Sequence, residues 1–161
     1  MKNILFSITV VILFTTVIFS CSNNELGEYK TADNGTLYKV HYTGDDSTKA
    51  IESEIVTVNL SYRLGDSVLF SSDTEEGPMR FPISEPMYQG DLYAALTLMG
   101  TGDSISIAVV ADSFYYKTAA LKKLPEFVTP GSHLFYDIKL LKHISGEEWQ
   151  VELAKLNKEK Q

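Results

Sequence analysis

The sequence has a single cysteine, so no intramolecular disulfide can form and a disulfide-stapled scaffold is excluded. Basic residues are also scarce, because 14 Lys and Arg face 21 Asp and Glu and give a formal charge of −7. A protein that neutralises phosphates needs a positive surface, so this net negative charge argues against nucleic acid and anionic lipid as partners. The three histidines, His41, His133 and His143, lack Cys or carboxylate partners at ligand spacing, so the sequence predicts no metal site.

No uncharged apolar run is long enough for a spanning helix. The run at residues 4–19 has 16 residues, whereas crossing a bilayer takes about 20. A basic start at Lys2 and a small residue at Ser20 are typical of a secretory signal, which we expect at residues 1–20. The end of this run, residues 17–21 (VIFSC), resembles the lipobox of bacterial lipoproteins, in which the thiol of Cys21 takes a diacylglyceryl group.

Lipidation would explain why the one cysteine lies at this position, and the alternative is a plain secretory signal with an incidental Cys21. A lipid on Cys21 implies attachment to a membrane of the bacterial cell envelope, the outer membrane in preference to the inner one. Residues 21–34 are polar and have no hydrophobic period, which predicts a tether between lipid and domain.

Strand patterns dominate the remainder of the chain. Residues 56–64 alternate apolar with polar side chains, which predicts a strand with one buried face. Further strands are expected at residues 37–42, 67–71, 79–83, 105–109 and 134–140. Apolar residues recur at helical spacing over 92–99, after a capping residue at Asp91 and before Gly100, which predicts one short helix. Antiparallel strands with one helix indicate an α+β domain in which the helix covers one sheet face.

Two segments near the end of the chain stand apart from the strands. Residues 111–130 have few strand signals, three adjacent aromatic residues and two prolines, and loops of that length are usually functional. Residues 145–148 (SGEE) form a capping-box pattern, which predicts a charged amphipathic tail helix over 145–161. We expect Trp149 of this helix to pack on the domain, and the alternative is that it serves a partner.

Four segments together resemble one family. Residues 56–72 (VTVNLSYRLGDSVLFSS) are similar, in register, to the pattern V-x-V-H-Y-x-G-x-L-x-D-G-x-x-F-D-S-S of FKBP-type peptidyl-prolyl isomerases. Residues 99–103 resemble the family's M-x-x-G-[ED] turn, 111–115 its P-x-x-x-A-Y segment and 135–141 its closing L-x-F-[DE]-V-x-L-L strand. Residues 40–44 spell V-H-Y-T-G outright but lack F-D-S-S at the required distance, so we assign them to the preceding strand.

The resemblance implies a half-wrapped antiparallel sheet around one short helix, in a domain spanning residues 35–144. Family members bind an X-Pro segment and accelerate a cis/trans rotation whose uncatalysed barrier is ~18 to 20 kcal/mol. Because rotation breaks no covalent bond, no cofactor, nucleophile or metal is called for. An apolar pocket removes water from the amide, and one donor bonds the twisted carbonyl.

Carried over by position, the resemblance makes Tyr115 the residue whose hydroxyl meets the substrate carbonyl. The same comparison places eight apolar residues around the substrate: Phe70, Met79, Phe81, Tyr88, Leu92, Phe127, Val128 and Tyr136. Aromatic residues at alternating strand positions also pack cores, and this is the alternative for Phe81 and Tyr136.

Three positions differ from the family pattern in ways that bear on activity. Leu60, Ser71 and Leu92 stand where the family has a strand Tyr, an Asp and the Trp of the pocket floor. We therefore expect a weak prolyl isomerase whose partners are proline-containing exported polypeptides. Two alternatives stay open: a non-catalytic peptide-binding or chaperone-like module, and a structural lipoprotein whose pocket is filled.

Overall fold

A computed structural model describes residues 25–75 and 77–159, which form seven strands and three helices. The strands are β1 (Lys30–Thr31), β2 (Leu37–Tyr42), β3 (Ile55–Leu64), β4 (Ser67–Ser71), β5 (Met79–Pro82), β6 (Ser104–Val110) and β7 (His133–Ile144). The helices are α1 (Leu92–Leu96), α2 (Ala111–Ser113) and α3 (Gly146–Glu159). Two 3-10 helices span Glu25–Glu28 and Ser72–Thr74, and a π-helical turn at Phe114–Thr118 continues α2.

All seven strands belong to one antiparallel sheet in the order β1-β2-β6-β7-β3-β4, with β5 also paired to β3. Strand β3 pairs with β7 over its full length, from Ile55 opposite Ile144 to Leu64 opposite Leu134. Its other edge is divided, with β5 along the first half and β4 along the second. The alternation predicted for residues 56–64 is confirmed, since Val56, Val58 and Leu60 are buried on one face.

Helix α1 covers that buried face, as expected for an α+β domain. Ala95, Leu96 and Met99 have no exposed surface. The helix is shorter than the apolar stripe because its end tightens: the Leu98 N–H donates to the Ala95 carbonyl and the Met99 N–H to the Leu96 carbonyl, each at 3.0 Å. Met99 therefore still reaches the core although it lies beyond α1.

The part of the expected tether that the structure describes, residues 25–34, is folded against the domain. Strand β1 pairs with β2, with Lys30 opposite Tyr38, and the Tyr29 ring lies 5.8 Å from the ring of Phe135. Tyr29 thereby covers an apolar ring on the outer face of the sheet, and residues 29–31 contact the domain that was expected to span residues 35–144. The expected signal segment and Cys21 lie outside the described residues.

Helix α3 is the expected tail helix and starts with the predicted capping box. The Ser145 N–H donates to Glu148 Oε2 at 2.9 Å, and the Glu148 N–H donates to Ser145 Oγ at 3.2 Å. The Arg80 guanidinium of β5 lies 4.7 Å from the centre of the Trp149 ring, which confirms that Trp149 packs on the domain. Within residues 25–75 and 77–159, no helix combines the length and apolarity needed to cross a bilayer.

Candidate functional site

An aromatic row crosses three strands on the face that α1 covers. Tyr62 of β3 lies directly opposite Phe70 of β4 on one side and Tyr136 of β7 on the other. The Tyr62 and Phe70 rings are stacked with centres 5.6 Å apart, and the Tyr62 and Tyr136 rings are 4.9 Å apart. Cross-strand aromatic pairs of this kind stabilise the pairing of neighbouring strands, here β4, β3 and β7.

Two further aromatic residues approach the row from the π-helical turn. The Phe114 ring lies 5.9 Å from Tyr62 and 5.1 Å from Tyr115, and the Tyr115 ring lies 6.3 Å from Phe127. The turn is held by the Ala119 N–H, which donates to the Phe114 carbonyl at 2.9 Å. We call Tyr62, Phe70, Phe114, Tyr115, Phe127 and Tyr136 the aromatic cluster.

The three adjacent aromatic residues of the turn point in different directions, as their sequence suggested. Tyr115 is buried, with 8% of its surface exposed, whereas Tyr116 is 47% exposed and Phe114 is half-buried. A π-helical turn adds one residue to the helical repeat, and such turns occur frequently at functional sites. Tyr115 is thus turned inward beside the row.

The hydroxyls of the site are kept protonated by their surroundings. Burial raises the pKa of Tyr115, and Tyr62 adds to the effect. The pKa of Tyr136, which is 3% exposed, is raised strongly by burial and then by its neighbours Tyr88, Tyr62 and Tyr115. Tyrosine hydroxyls are neutral at physiological pH even without these shifts, and the raised pKa values reflect how far burial removes the two phenols from water.

The remaining predicted residues lie around this cluster at different depths. Leu92 is the first residue of α1 and is half-buried, and Val128 is buried. Tyr88 is half-buried, with the Thr118 hydroxyl 3.4 Å from its own and the Lys117 ammonium 5.6 Å from its ring centre. Phe127 is 62% exposed.

Strand β5 carries the other two predicted residues. Phe81 is half-buried and pairs with the Tyr93 ring at 6.3 Å, while Met79 lies at the surface. The structure therefore brings Phe70, Tyr115, Phe127 and Tyr136 into the aromatic cluster and places Phe81 in a pair with α1.

No protein-family model matches the sequence, and the comparison with curated proteins finds no match. Solved structures do match. FkpA from Escherichia coli superposes with a TM-score of 0.59 at 22% identity, over 74% of this chain and 53% of FkpA. A peptidyl-prolyl cis-trans isomerase from Pseudomonas syringae pv. tomato superposes with a TM-score of 0.56 at 19% identity, over 73% of this chain and 81% of that one. The chain has an FKBP-like fold.

This FKBP-like chain spans about half the length of FkpA. Two of its departures from the family pattern, at Ser71 and Leu60, lie beside the 3-10 helix that follows β4. Ser71, which stands in place of the pattern's Asp, caps the 3-10 helix by accepting from the Asp73 N–H at 3.3 Å. Leu60, in place of the pattern's Tyr, is buried, and its N–H donates to Ser72 Oγ at 3.0 Å. The Ser71 side chain thus caps the turn, whereas the bond at Leu60 is made by the backbone and does not depend on the side chain there.

Sequence reasoning missed three members of this region, Tyr62, Phe114 and Tyr93. The alternation did place Tyr62 on the buried face of its strand, but the FKBP pattern has glycine at that position, so the resemblance gave it no role. Phe114 falls on the alanine of the P-x-x-x-A-Y segment. In both cases a small residue of the pattern is replaced by a ring that fills space next to Tyr115 or Phe70.

A groove runs from the cluster toward the edge of the sheet. It has a volume of about 310 Å³, and its lining includes Leu64, Leu69, Phe127 and Ser132. Phe127 belongs to both the groove and the aromatic cluster, so the two are continuous. Within the described part of the chain, no group of three His, Cys, Asp or Glu side chains is arranged to hold a metal ion.

Proposed function

We propose that this FKBP-like protein is a weak peptidyl-prolyl isomerase that acts on X-Pro bonds of exported polypeptides. The observation that supports this most is the position of Tyr115, a neutral and buried hydroxyl beside aromatic rings. The fold it shares with a protein named as a peptidyl-prolyl cis-trans isomerase supports the same reaction.

To accelerate this rotation, the residues of the site need only exclude water and donate one hydrogen bond. A planar amide is stabilised by charge separation, so rings that exclude water disfavour the planar form relative to the twisted one. As the bond rotates, amide resonance is lost and the lone pair returns to the nitrogen, while the Tyr115 hydroxyl donates a hydrogen bond to the carbonyl oxygen and holds it in the twisted position. One such bond contributes ~0.5 to 1.5 kcal/mol when it forms in the transition state.

Weak activity follows from the residues around that donor. Leu92, at the start of α1, takes the place of the family's Trp and offers a smaller surface to a prolyl ring. Leu60 provides no hydroxyl where the family has Tyr. Binding energy and hydrogen bonding are therefore both reduced, which lowers the stabilisation of the transition state.

The proposed cellular setting rests on the first 21 residues. A signal segment followed by a lipidated Cys21 would export the chain and hold it at the envelope, the outer membrane in preference to the inner one. Its substrates would then be polypeptides that fold after export, in which slow X-Pro isomerisation limits the rate.

Prolyl exchange measured by NMR tests the proposal. The full chain in mild detergent is added to a short X-Pro peptide, and the exchange between cis and trans signals is compared with the peptide alone. We expect exchange cross-peaks or line broadening that grow with protein concentration. Absence of any broadening, at concentrations where the peptide is shown to bind, would contradict the enzyme.

A non-catalytic peptide-binding module is the second candidate. The exposed Phe127 and Leu69 of the groove favour it, because exposed apolar side chains beside a cleft are typical of binding surfaces. This candidate predicts chemical-shift changes at groove residues on addition of peptide, without any change in the rate of prolyl exchange.

A further inference from the structure

The central ring of the aromatic row, Tyr62, lies between two residues that the sequence assigned to the substrate. Phe70 stacks on one side of it at 5.6 Å with an interplanar angle of 19°, and Tyr136 packs on the other side at 4.9 Å with an angle of 31°. The space between Phe70 and Tyr136 is therefore occupied by the Tyr62 side chain.

These spacings leave no room for a prolyl ring between Tyr62 and either of these two neighbours. A ring held between two others needs a contact of about 3.5 to 4.0 Å on each face, so its two neighbours lie roughly 7 to 8 Å apart. Both observed separations are shorter than that. A prolyl ring can enter between Phe70 and Tyr136 only where Tyr62 now is.

The surroundings of Tyr62 allow the ring to leave. Tyr62 is half-buried, in contrast to the buried Tyr136, and its neighbour Phe70 is half-buried on a short strand at the edge of the sheet. The pairing of β3 with β4 is interrupted by a register shift between Tyr62 and Arg63. Phe114 of the π-helical turn also contacts the Tyr62 ring, at 5.9 Å, so an outward rotation would separate Tyr62 from three rings and expose it to solvent.

We propose that Tyr62 determines whether the site admits a prolyl ring: it occupies the slot between Phe70 and Tyr136, and an X-Pro segment binds there when Tyr62 rotates out. This inference rests on the proposed function of the same site and specifies its substrate access. The apparent affinity for X-Pro peptides is then the affinity of the open state reduced by the fraction of molecules that are open.

The test compares the full chain in detergent with two variants at this position. Tyr62→Ala empties the slot, whereas Tyr62→Phe keeps the ring and removes only the hydroxyl. If the open state is populated at about 1 to 10%, Tyr62→Ala binds an X-Pro peptide about 10- to 100-fold more tightly than wild type. Tyr62→Phe keeps a ring in the slot and should not reproduce this gain, and an X-Ala peptide should gain nothing from Tyr62→Ala.

Each variant is checked for folding by circular dichroism and by the dispersion of its NMR spectrum. If Tyr62→Ala does not fold, Tyr62→Val keeps a residue suited to a strand and still removes the ring. Wild-type protein gives an independent result: with peptide bound, nuclear Overhauser effects should connect prolyl protons to both Phe70 and Tyr136.

A folded Tyr62→Ala protein with no gain in proline-dependent affinity overturns the inference, as do prolyl contacts confined to residues outside the slot. Failure of the proposed function looks different. If wild type shows no prolyl exchange while Tyr62→Ala gains X-Pro affinity, Tyr62 blocks the slot and the wild-type protein is not an isomerase. If wild type shows exchange and Tyr62→Ala binds no better, the isomerase stands and Tyr62 is a wall residue.

Discussion

Tyr115 and Tyr136 are both buried, but Tyr115 lies on the π-helical turn and Tyr136 lies on strand β7. Tyr136 lies on β7, which is paired on both sides, and its ring is 3% exposed. Tyr115 lies on a turn and contacts Phe127, which is exposed and continuous with the groove. Of the two hydroxyls, that of Tyr115 is therefore better placed to meet a ligand from outside.

Substituting Tyr115 separates its hydroxyl from its ring. Tyr115→Phe should lose ~0.5 to 1.5 kcal/mol of transition-state stabilisation, roughly 2- to 13-fold in prolyl exchange, with little change in melting temperature. Tyr116→Phe, at the exposed neighbouring position, is the matched control and should leave exchange unchanged.

The ring itself is tested by Tyr115→Ala, which should lower the free energy of unfolding by ~3 kcal/mol or more because it deletes a buried aromatic ring. Chemical denaturation measures this loss. A variant as stable as wild type would show that the ring does not pack as described.

The strands and helices that the sequence predicted are those marked by a periodic pattern of apolar residues or by a capping motif. Strands β2 to β7 and the helix at α1 follow from alternation and helical spacing, and the Ser145 capping box located α3. Strand β1 has only two residues, too few for a period, and it forms because Tyr29 beside it covers Phe135. The position of the Tyr62 ring between Phe70 and Tyr136 could not be predicted, because it depends on which residues of β4 and β7 lie opposite Tyr62.

The start of α1 depends on Asp91. Its carboxylate accepts from the Ala94 N–H at 2.9 Å and from the Met87 N–H at 2.8 Å, and the residue is buried. Asp91→Ala should cost about 1 to 2 kcal/mol of stability, since it removes a helix cap, while Asp91→Asn keeps an acceptor and should cost less. Urea denaturation of the two variants checks this. Equal losses would mean that charge, and not capping, is what Asp91 supplies.

Helix α3 is attached to the domain in part through Trp149 and Arg80. Trp149→Ala should cost ~0.5 to 1 kcal/mol, as expected for a cation–π contact at a partly exposed site. The loss is read from denaturation followed by far-ultraviolet circular dichroism. Leu156→Ala, an exposed position on the same helix, should change stability less, and the opposite order would contradict the contact.

For the molecule as a whole, Asp103 joins segments that are distant in sequence. Its carboxylate accepts from the Gly44 N–H, the Gly100 N–H and the Lys49 ammonium, each at 2.8 Å. Burial by itself would raise the pKa of this carboxyl, but the Gly100 N–H, the Lys49 ammonium and the Gly44 N–H outweigh it, so the pKa is lowered. The loop after β2 is thereby held to the turn before β6.

Because folding lowers this pKa, Asp103 stabilises the fold above the unfolded-state value of ~3.9, and the contribution is lost as pH falls through the lower folded value. Asp103→Asn should therefore be less stable than wild type at neutral pH, and the difference should shrink below about pH 4. Asp45→Asn, an exposed change on the same loop, is the control. A difference between Asp103→Asn and wild type that did not vary with pH would contradict this role.

The proposed anchor predicts where the whole molecule is found. Since two or more acyl chains give stable attachment, wild-type protein should sediment with membranes and resist extraction by high salt. Cys21→Ser should leave the chain unprocessed or soluble. Equal extraction of both forms by salt alone would remove the case for a lipid on Cys21.

The pairing of β3 with β7 also has a consequence for the order of folding. A ribosome makes β3 long before β7, yet the ten residue pairs between β3 and β7 join β4 and β5 to the rest of the sheet. Contacts of such sequence separation close slowly, because the intervening chain must first be brought together. The nascent chain therefore cannot complete these pairs until residue 144 has been synthesised, and β4 and β5 stay separated from the rest of the sheet until then.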